Sequence, residues 1–505
     1  MQLTAERLET GLAGLWPDCR RALAAVSLPD CVRLVLDSRR LAAGDVFVAV
    51  PGVASDGRDF AAAALEAGAS LVLAHREAGE PPAGPADPRV VPLEGLRGRL
   101  GELGRELFAV PDDLELVGVT GTNGKSSVAH YLAELSQALG VDAGLVGTLG
   151  HGRPGALVEG GLTTPGPLAL QASLGELAAS GVRRVAMEVS SHALEQGRLE
   201  GCRITAALFT NLTRDHLDYH GSMAAYAAAK ARLFRQPELE LAVVNADDPL
   251  ARLMLAGIRP GVRVLATGED EAVTLRVVDW QPHDAGQRAL VATPDGERVL
   301  ELPLLGRFNL DNALLAIATL YGLGHGLEAL FAAAGTLTPV PGRMQALARP
   351  GAPRVVIDYA HTPDALESAL TALEAHLPGS GRLWCLFGCG GDRDAGKRPL
   401  MAAAAERHTD RLVVTDDNPR GEEPATIREQ VLAGLSDESR ARAWNLGGRA
   451  EAIARVLAEA APDDVVLIAG KGHEAYQEVA GVRHAFSDLD TAERALAARA
   501  GAGVP

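Results

Sequence analysis

Lysine is the scarcest source of positive charge in this sequence: four of its 48 basic residues are lysine and 44 are arginine. A general bias towards arginine would replace lysine wherever any cation suffices. The lysines that remain should then lie where a compact amine that can lose its proton or be covalently modified is required, because arginine cannot fill these roles. We therefore expect functional motifs around Lys125, Lys230, Lys397 and Lys471.

Cysteine and long apolar runs are also scarce. The five cysteines are an odd number, widely scattered and accompanied by no export signal, which is typical of reduced thiols in a cytosol. No apolar run approaches the roughly 20 residues of a membrane-spanning helix. The first residues, MQLTAERLETGLAGL, include acidic side chains and predict an amphipathic helix rather than a signal peptide. These absences predict a cytoplasmic protein that does not insert into a membrane.

An excess of basic residues is absent as well. The formal net charge is −17, whereas a nucleic-acid partner requires a basic surface. The charge balance therefore argues against nucleic-acid binding. Anionic small molecules remain compatible with it, because they need only local hydrogen-bond donors.

The order of strand-like and helix-like segments predicts an α/β protein of three domains, at residues 1–112, 113–340 and 341–505. From Leu114 onwards, strands, glycine-rich loops and long helices repeat, which is typical of a phosphate-loop ATPase-like domain with a parallel or mixed sheet. The proline-containing segment TPVPGR (338–343) is a predicted linker. Beyond it, strands alternate with alanine-rich helices, which predicts a second, Rossmann-like α/β domain.

The strongest local motif is VGVTGTNGKSS (117–127). A buried strand is expected to end at Val119, and Lys125 should begin a helix after a glycine-rich turn. The backbone N–H groups of such a turn bind the phosphates of ATP, while Lys125 supplies a charge and Ser126 a ligand for Mg²⁺. The loop is a variant, because the usual spacing would place glycine where Val119 stands.

Three further candidates in the middle of the chain have a structural as well as a functional interpretation. Strands are expected to deliver Glu188 and His216 to the carboxyl-terminal edge of a sheet, where ligands bind, so both are metal candidates. Taken singly, Glu188 could equally begin a helix and His216 could belong to a turn. Lys230 lies in a helix-like segment, where a solvated lysine would be the ordinary interpretation.

Three loops in the last third of the sequence carry both signs of charge. They follow predicted strands in FGCGGDRDAGKRPL (387–400), VVTDDNPRGEEP (413–424) and IAGKGHEAYQ (468–477). Loops at the carboxyl ends of neighbouring strands meet in space. We therefore expect one pocket suited to a zwitterion, formed by Arg393, Asn418, Arg420, Gly470 and Glu474.

Ordered motifs along nearly the whole chain resemble the Mur ligase family. The matching segments are GTNGKSS, MEVSSH, TNLTRDHLDYHG, AAAK, LLGRFNLDNALLA, PGRMQ, DYAHTPDAL, FGCGGDRDAGKRPLM, DNPR and GKGHE. The resemblance implies an ATP-dependent amide ligase of cytoplasmic peptidoglycan precursor synthesis that works as a monomer. The segment DNPR (417–420) resembles that of members adding meso-diaminopimelate, rather than lysine, to UDP-N-acetylmuramoyl-L-alanyl-D-glutamate.

The resemblance also implies roles for individual residues. Catalytic roles fall on Lys125, Lys230, Glu188 and His216, and Lys230 corresponds to a lysine that becomes N6-carboxylated. Metal ligands would be Ser126, Glu188, His216 and the carbamate of Lys230. ATP would contact Gly121, Thr122, Asn123, Gly124, Lys125, Ser126, Ser127, Asn309 and Asn312, with Lys397 nearby. The UDP-muramoyl dipeptide would contact Leu36, Ser38, Val53, Ala54, Ser55, Thr163, Thr164, Ser190, Gln196 and Arg198. Diaminopimelate would contact Arg393, Asp417, Asn418, Pro419, Arg420, Gly470 and Glu474.

Alternatives remain at this stage. One alternative is a lysine-adding ligase of the same family. Arg420 argues against it, because this residue can pair with the second carboxylate of diaminopimelate, which lysine does not have. A folylpolyglutamate-synthase-like ligase shares the GTNGK-type loop but has no need of a UDP-binding first domain. An ATP-switched binding module or a phosphate-loop GTPase is a different class of protein, and none of the four lysines fits the base-reading motif of a GTPase.

Overall fold

The computed structural model describes residues 2–52, 55–80 and 87–502 of the chain. Strands and helices alternate through most of it, so the predicted α/β class is confirmed. Val53 and Ala54, two of the predicted UDP contacts, lie outside the described residues, as does the 81–86 part of a proline-rich segment. No helix in the described ranges is long and apolar enough to cross a membrane.

The first part of the chain forms a five-stranded sheet whose strands follow in chain order. The first strand pairs antiparallel and the other pairs are parallel. The strands are β1 (Gln2–Thr4), β2 (Cys31–Val35), β3 (Val46–Ala49), β4 (Leu71–Arg76) and β5 (Val90–Glu94). The helices are α1 (Ala5–Leu15), α2 (Arg20–Leu23), α3 (Ala61–Glu66) and α4 (Leu100–Phe108).

An eleven-stranded mixed sheet occupies the middle of the chain, in the order β16-β15-β14-β13-β12-β11-β6-β10-β7-β8-β9. Its strands are β6 (Glu115–Thr120), β7 (Ala143–Gly147), β8 (Gly150–Arg153), β9 (Ala156–Val158), β10 (Arg184–Glu188), β11 (Ile204–Phe209), β12 (Leu241–Asn245), β13 (Arg263–Gly268), β14 (Leu275–His283), β15 (Gly286–Thr293) and β16 (Gly296–Leu302). Strands β7, β10, β6, β11, β12 and β13 run parallel to their neighbours in that block, and hairpins extend both edges.

Helices cover both faces of this sheet and bury its aliphatic strands. The helices are α5 (Lys125–Ala138), α6 (Pro167–Ala179), α7 (Ser191–Glu195), α8 (Leu217–His220), α9 (Met223–Ala231), α10 (Ala251–Leu255), α11 (Arg307–Gly322) and α12 (Leu327–Ala334). Apolar side chains of α5 and α11 pack on one face, and those of α6 and α9 pack on the other. Near-continuous apolar strands such as β6 are expected where both faces are buried.

The last part of the chain builds a six-stranded sheet in the order β17-β18-β22-β19-β20-β21, beside a separate hairpin of β23 and β24. The strands are β17 (Gln345–Leu347), β18 (Arg354–Asp358), β19 (Leu383–Phe387), β20 (Arg411–Val414), β21 (Trp444–Asn445), β22 (Val465–Ala469), β23 (Tyr476–Val479) and β24 (Val482–Ala485). The helices are α13 (Pro363–Glu374), α14 (Lys397–Glu406), α15 (Pro424–Leu432), α16 (Asp437–Arg442), α17 (Arg449–Glu459) and α18 (Asp488–Ala502).

The N-terminus differs from its prediction. The sequence predicts one amphipathic helix from the first residues, whereas the structure has strand β1 before helix α1. Strand β1 pairs with β2, and the side chain of Thr4 caps α1 by accepting a hydrogen bond from the N–H of Arg7. The strand arises because Leu3 is buried in the first core, a tertiary contact that helical periodicity does not reveal.

The first and middle parts of the chain meet at the beginning of α4. The carboxylate of Glu200 accepts hydrogen bonds from the backbone N–H groups of Gly101 and, at 3.1 Å, of Glu102. A carboxylate is favourable there because the first N–H groups of a helix have no partner within it. Gly101 permits this contact, since a Cβ at that position would lie 1.7 Å from the carbonyl oxygen of Glu200.

We predict that Gly101→Ala lowers the free energy of unfolding by about 1–3 kcal/mol, because backbone rather than a flexible side chain must move. Gly14→Ala is the matched control, since Gly14 also lies in a helix and a Cβ there meets nothing within 4 Å. That control should gain about 0.5–1 kcal/mol from the better helix propensity of alanine. Denaturant unfolding measures both, and equal stability of the two variants would contradict the steric argument.

Candidate active site

A tight glycine turn between β6 and α5 forms the predicted phosphate loop. Gly124 has a φ of +83°, and a Cβ there would lie 2.5 Å from Oδ1 of Asn312. Only glycine combines that backbone conformation with so close a neighbour. Helix α5 begins at Lys125, so its first N–H groups lie next to the turn. A loop of this geometry at a helix N-terminus binds anions.

The segment after β11 fixes the shape of this loop. Asn211 accepts hydrogen bonds from the N–H groups of Thr122, through its carbonyl at 2.8 Å, and of Asn123, through Oδ1 at 3.0 Å. Thr210 Oγ1 donates to the carbonyl of Asn123 at 2.6 Å. The loop is therefore held by hydrogen bonds to the side chains and backbone of the neighbouring segment.

Two lysine amines converge on the carbonyl of Gly121. The Nζ of Lys125 donates to it at 2.9 Å, and the Nζ of Lys230 donates to it at 2.6 Å. Lys125 also donates to the carbonyl of Thr122 at 2.8 Å. Lys230 is 1% exposed and its Nζ lies 4.6 Å from the centre of the Tyr226 ring. The structure thus places Lys230 beside the predicted phosphate loop and excludes the solvated-helix interpretation.

The environment favours a neutral amine at Lys230. Burial and the neighbouring charge of Lys125 lower the pKa of Lys230 well below its ordinary value, and Asp215 opposes this effect. Burial also lowers the pKa of Lys125, an effect that the carboxylates of Glu188 and Asp215 oppose. A buried amine next to a second cation loses its proton readily.

Glu188 ends strand β10, as the sequence predicts, and its carboxylate is buried. Oε1 accepts from the N–H of Thr148 at 2.9 Å, and Oε2 accepts from Oγ1 of Thr148 at 3.1 Å. Glu188 and Ser126 line the same small cavity of about 10 Å³. The donor set of a carboxylate and a hydroxyl suits a hard cation that keeps most of its waters.

His216 lies at the start of α8 with a φ of +51° and is about half exposed. Its Nε2 is 3.4 Å from Oδ2 of Asp215, and its ring stands edge-on to the rings of His192 and Tyr226. Across the described ranges, no group of three or more His, Cys, Asp or Glu side chains is close enough to hold a metal ion. Any cation here would therefore depend on water, ligand oxygens or a modified side chain.

The last part of the chain presents a cation to the phosphate loop. Arg343 is the last residue of the predicted linker, and its charge contributes to lowering the pKa of Lys125. The guanidinium lies 4.4 Å from the ring centre of Tyr359, and its Nε is buried without a hydrogen-bond partner among the described residues. Lys397 begins α14 and its Nζ donates to the carbonyl of His361 at 2.9 Å.

The two asparagines that are predicted to contact ATP have different surroundings. Asn309 is buried, where its Oδ1 accepts from the hydroxyl of Tyr131 at 3.0 Å and its Nδ2 donates to the carbonyl of Leu305 at 2.9 Å. The bond from Tyr131 joins α5 to α11 and gives Asn309 a structural role beside the site. Asn312 is also buried and its amide faces Gly124 of the phosphate loop.

Five of the ten predicted contacts of the UDP-muramoyl dipeptide are connected to Glu188 by hydrogen bonds. Thr164 donates its Oγ1 to the carbonyl of Glu188 at 2.8 Å and accepts from the N–H of Ser190 at 3.1 Å. Arg198 donates to the carbonyl of Thr164 at 2.8 Å and to Oε1 of Gln196 at 2.7 Å. Thr163 lies 3.0 Å from Thr148, the partner of Glu188. These residues form one connected network.

The remaining predicted UDP contacts lie in the first sheet. Leu36 is exposed directly after β2, and Ser38 begins a short 3₁₀ turn capped by Asp37. Ser55 is exposed, and its carbonyl accepts a hydrogen bond from the N–H of Gly52.

The three charged loops of the last sheet do meet, because they follow the adjacent strands β22, β19 and β20. Asn418 Nδ2 donates to Oε2 of Glu474 at 2.9 Å. Gly470 has a φ of +111°, and a Cβ there would lie 3.0 Å from Oδ2 of Asp417. The structure therefore brings together four predicted members of the pocket, namely Asp417, Asn418, Gly470 and Glu474.

The two predicted arginines of the pocket differ in their contacts: Arg420 is bonded to a neighbouring loop, whereas Arg393 is exposed. Arg420 has a φ of +50°, and its Nη1 donates to the carbonyl of Gly391 at 2.8 Å. This bond, together with that from the N–H of Gly391 to the carbonyl of Asn418, joins the first two loops. Arg393 is exposed at the tip of the first loop. Pro419 lies between Asn418 and Arg420, and a Cβ on Gly391 would lie 1.9 Å from its carbonyl oxygen.

Sequence reasoning did not assign Arg343, Thr148 or Lys471 to the site. Lys471 is 0% exposed and its Nζ donates to Oδ1 of Asn418 at 3.1 Å and to Oε2 of Glu474 at 2.9 Å. The scarcity of lysine was the available signal for Lys471, and the PGRMQ segment was the signal for Arg343. Thr148 carries no motif that would distinguish it.

A glycine-rich loop at a helix N-terminus on the parallel block of a mixed sheet, together with a charged pocket in a further α/β domain, is typical of a nucleotide-dependent ligase. Comparison with known families places the chain more closely. Residues 119–320 match the Mur ligase middle domain, residues 342–472 match the Mur ligase glutamate ligase domain, and residues 33–107 match the Mur ligase family catalytic domain.

Individual relatives agree with these matches. The UDP-N-acetylmuramoyl-L-alanyl-D-glutamate--2,6-diaminopimelate ligase of Pseudomonas aeruginosa is 50% identical over 92% of this chain and 95% of its own length. A solved structure of a ligase with the same name is 39% identical, with a TM-score of 0.67 over 93% of this chain and 95% of its own. The MurF ligase of Thermotoga maritima in complex with ADP shares the fold, with a TM-score of 0.64 at 20% identity over 94% of this chain and 98% of its own.

The chain belongs to the Mur ligase family, and it is therefore an ATP-dependent, ADP-forming ligase. The three-domain fold expected from the sequence is confirmed by these structural relatives.

We predict that Lys125→Ala lowers the rate of ADP formation by at least about a hundredfold, because it removes a preorganised charge beside the transferred phosphoryl group. Lys125→Arg should be nearly as poor, since a planar guanidinium does not replace a point charge that fits between two carbonyls. ADP release with the ligase substrates measures the effect, and thermal unfolding checks that both variants fold. Normal ADP production by either variant would contradict this role.

Proposed function

We propose that this protein joins meso-diaminopimelate to UDP-N-acetylmuramoyl-L-alanyl-D-glutamate with cleavage of ATP to ADP and phosphate, in peptidoglycan precursor synthesis. The observation that carries the proposal is the pocket of three adjoining loops that holds Arg420 and Glu474, one charge of each sign. Relatives with about half their residues identical bear the name of that ligase. Such a pocket would recognise the end of diaminopimelate that does not react, which carries an ammonium and a carboxylate on one carbon.

The reaction follows from the chemistry of a carboxylate, which is a poor acyl donor because it cannot expel oxide. In the proposed sequence the γ-carboxylate of D-glutamate attacks the γ-phosphorus of ATP, which gives an acyl phosphate and ADP. The amine of diaminopimelate then adds to the acyl carbon, and phosphate leaves. Lys125, Arg343 and the N-terminus of α5 would stabilise the developing phosphoryl charge, and the protein's main contribution is alignment.

Mg²⁺ is the divalent cation that we propose for this site. The oxygens of Ser126 and Glu188 fit it, with His216 and a modified Lys230 as candidates for a second position. When bound, the cation would neutralise phosphate charge.

We propose that each of the three parts of the chain binds a different substrate. Residues 1–112 would bind the uridine diphosphate end, through Leu36, Ser38 and the segment 53–55. Residues 113–340 would bind ATP and the dipeptide, the latter through the network around Thr164. Residues 341–505 would bind the amino acid, with Lys397 facing ATP. Closure of the last domain over the others would bring the amine to the acyl phosphate. We further propose a cytoplasmic location.

The buried amine of Lys230 supports a carbamate at this position. A neutral amine adds to CO₂ with loss of one proton, and burial next to Lys125 lowers the pKa of Lys230. The product is an anion adjacent to Lys125 and the phosphate loop, so one modification converts an unfavourable pair of amines into a favourable ion pair.

We predict that ¹³C-bicarbonate gives the wild-type protein a carbamate carbonyl signal in NMR that Lys230→Ala lacks and Lys397→Ala retains. Removal of CO₂ should slow the wild-type enzyme, and a short-chain carboxylic acid should partly restore Lys230→Ala by supplying an anion. Native turnover by Lys230→Ala, or a signal that survives this substitution, would contradict the carbamate.

We predict that kcat/KM for meso-diaminopimelate exceeds that for L-lysine by at least about a hundredfold, because lysine lacks the second carboxylate that Arg420 would bind. Arg420→Ala should reduce this ratio by impairing the use of diaminopimelate while the weak reaction with lysine changes little. Arg483→Ala is the matched control, since Arg483 lies 3.9 Å from the same carboxylate, Glu478, as Arg420 does. Equal use of both amino acids by the wild type would contradict this role of Arg420 and leave DNPR as an ordinary turn.

A further inference from the structure

Lys471 is a buried residue beside the proposed amino-acid pocket, and the proposed reaction does not use it. It lies two residues after strand β22, its side chain has no solvent exposure, and its amine contacts two members of the pocket. Nζ donates to Oδ1 of Asn418 at 3.1 Å and to Oε2 of Glu474 at 2.9 Å. The ring centre of Tyr476 lies 5.6 Å from Nζ.

These bonds determine how the amide of Asn418 is oriented. Oδ1 accepts from Lys471 and from the backbone N–H of Glu478 at 2.9 Å, and both of these groups can only donate. The amide oxygen is therefore occupied by two donors of the protein. Nδ2 faces Glu474 and has a second hydrogen for a ligand. Towards a ligand, Asn418 is consequently a donor and suits a carboxylate.

The same bonds orient Glu474. The hydrogen bonds from Lys471 and from Asn418 both reach Oε2. Oε1 makes no hydrogen bond to any residue within the described ranges and is available to accept from an ammonium. Glu474 is partly exposed, which gives a ligand access to it. The pocket thus has a donor side and an acceptor side in a fixed arrangement.

We propose that Lys471 is a positioning residue that fixes this polarity and so selects the configuration of the far carbon of diaminopimelate. The inference rests on the proposed function. Exchange of the ammonium and carboxylate on a tetrahedral carbon inverts its configuration. With the reacting carbon the same in both, the meso and LL isomers differ by this exchange. A pocket that accepts each group on one side only distinguishes them, whereas one whose amide and carboxylate can reorient does not.

The decisive variant is Lys471→Met, which keeps the length of the side chain and removes both hydrogen bonds. KM for meso-diaminopimelate should rise about 10- to 100-fold, the cost of charge-assisted hydrogen bonds lost in a buried site. The preference for the meso over the LL isomer should fall at least about tenfold by the same argument. KM for ATP should stay within about twofold, because Lys471 makes no contact with the phosphate loop.

Two further variants make the result specific. Lys471→Gln keeps one donor for Asn418 and should give an intermediate preference, and it carries the same test should Lys471→Met not fold. Arg483→Met removes an exposed cation whose Cζ lies 4.3 Å from the ring centre of the same Tyr476 and should keep the wild-type preference.

Measurement of kcat and KM for both isomers and for ATP, with thermal unfolding of each variant, completes the test. A folded Lys471→Met enzyme with the wild-type preference between isomers would overturn the proposal. Parallel changes in KM for ATP and for diaminopimelate would likewise show a structural role alone. Failure of the wild type to use either isomer would instead contradict the proposed function, and is distinguishable from both.

Discussion

The meeting of two lysine amines at one carbonyl oxygen, that of Gly121, constrains the whole reaction centre. Both amines cannot remain charged at this separation in a buried site without a large electrostatic cost. The conflict is resolved by lowering the pKa of Lys230, the more deeply buried of the two. The loop shape that creates this contact depends on Gly121, where a Cβ would lie 1.8 Å from Oγ1 of Thr210. The contact between the two lysine amines and the Gly121 carbonyl therefore depends on the backbone packing at this glycine.

A second close backbone approach connects this centre to the amino-acid pocket. A Cβ on Gly342 would lie 2.1 Å from the N of His473, and one on Gly472 would lie 2.7 Å from the carbonyl oxygen of Gly342. Gly342 precedes Arg343, which faces Lys125, while Gly472 follows Lys471 in the loop that carries Glu474. These contacts place Arg343 directly beside the loop that carries Lys471 and Glu474. Arg343 and the charged pocket of the last sheet are thus neighbours in one tightly packed junction.

Sequence alone predicts the strands and the glycine loops well, because apolar runs and glycine turns are local signals. It places Lys125 at the start of α5 and Glu188 at the end of β10, as the structure has them. It does not predict β1, whose pairing depends on β2 thirty residues later. Nor does it predict that Thr148 donates a hydrogen bond to Glu188 or that the hydroxyl of Tyr131 donates one to Asn309, since these contacts join distant parts of the chain. Tertiary partners, rather than motifs, decide which polar atoms remain for a ligand.

The division of labour between lysine and arginine in this chain follows from the geometry of their acceptors. Buried arginines here meet several acceptors in one plane: Arg449 binds both oxygens of Asp488 at 2.7 Å and the carbonyl of Ala469 at 2.8 Å. A planar guanidinium satisfies such a set and stays charged. Lys125, Lys230 and Lys471 instead place one nitrogen among acceptors that are not arranged as a fork. A strong bias towards arginine can therefore remove lysine from every site except those where a single, compact and sometimes uncharged nitrogen is required.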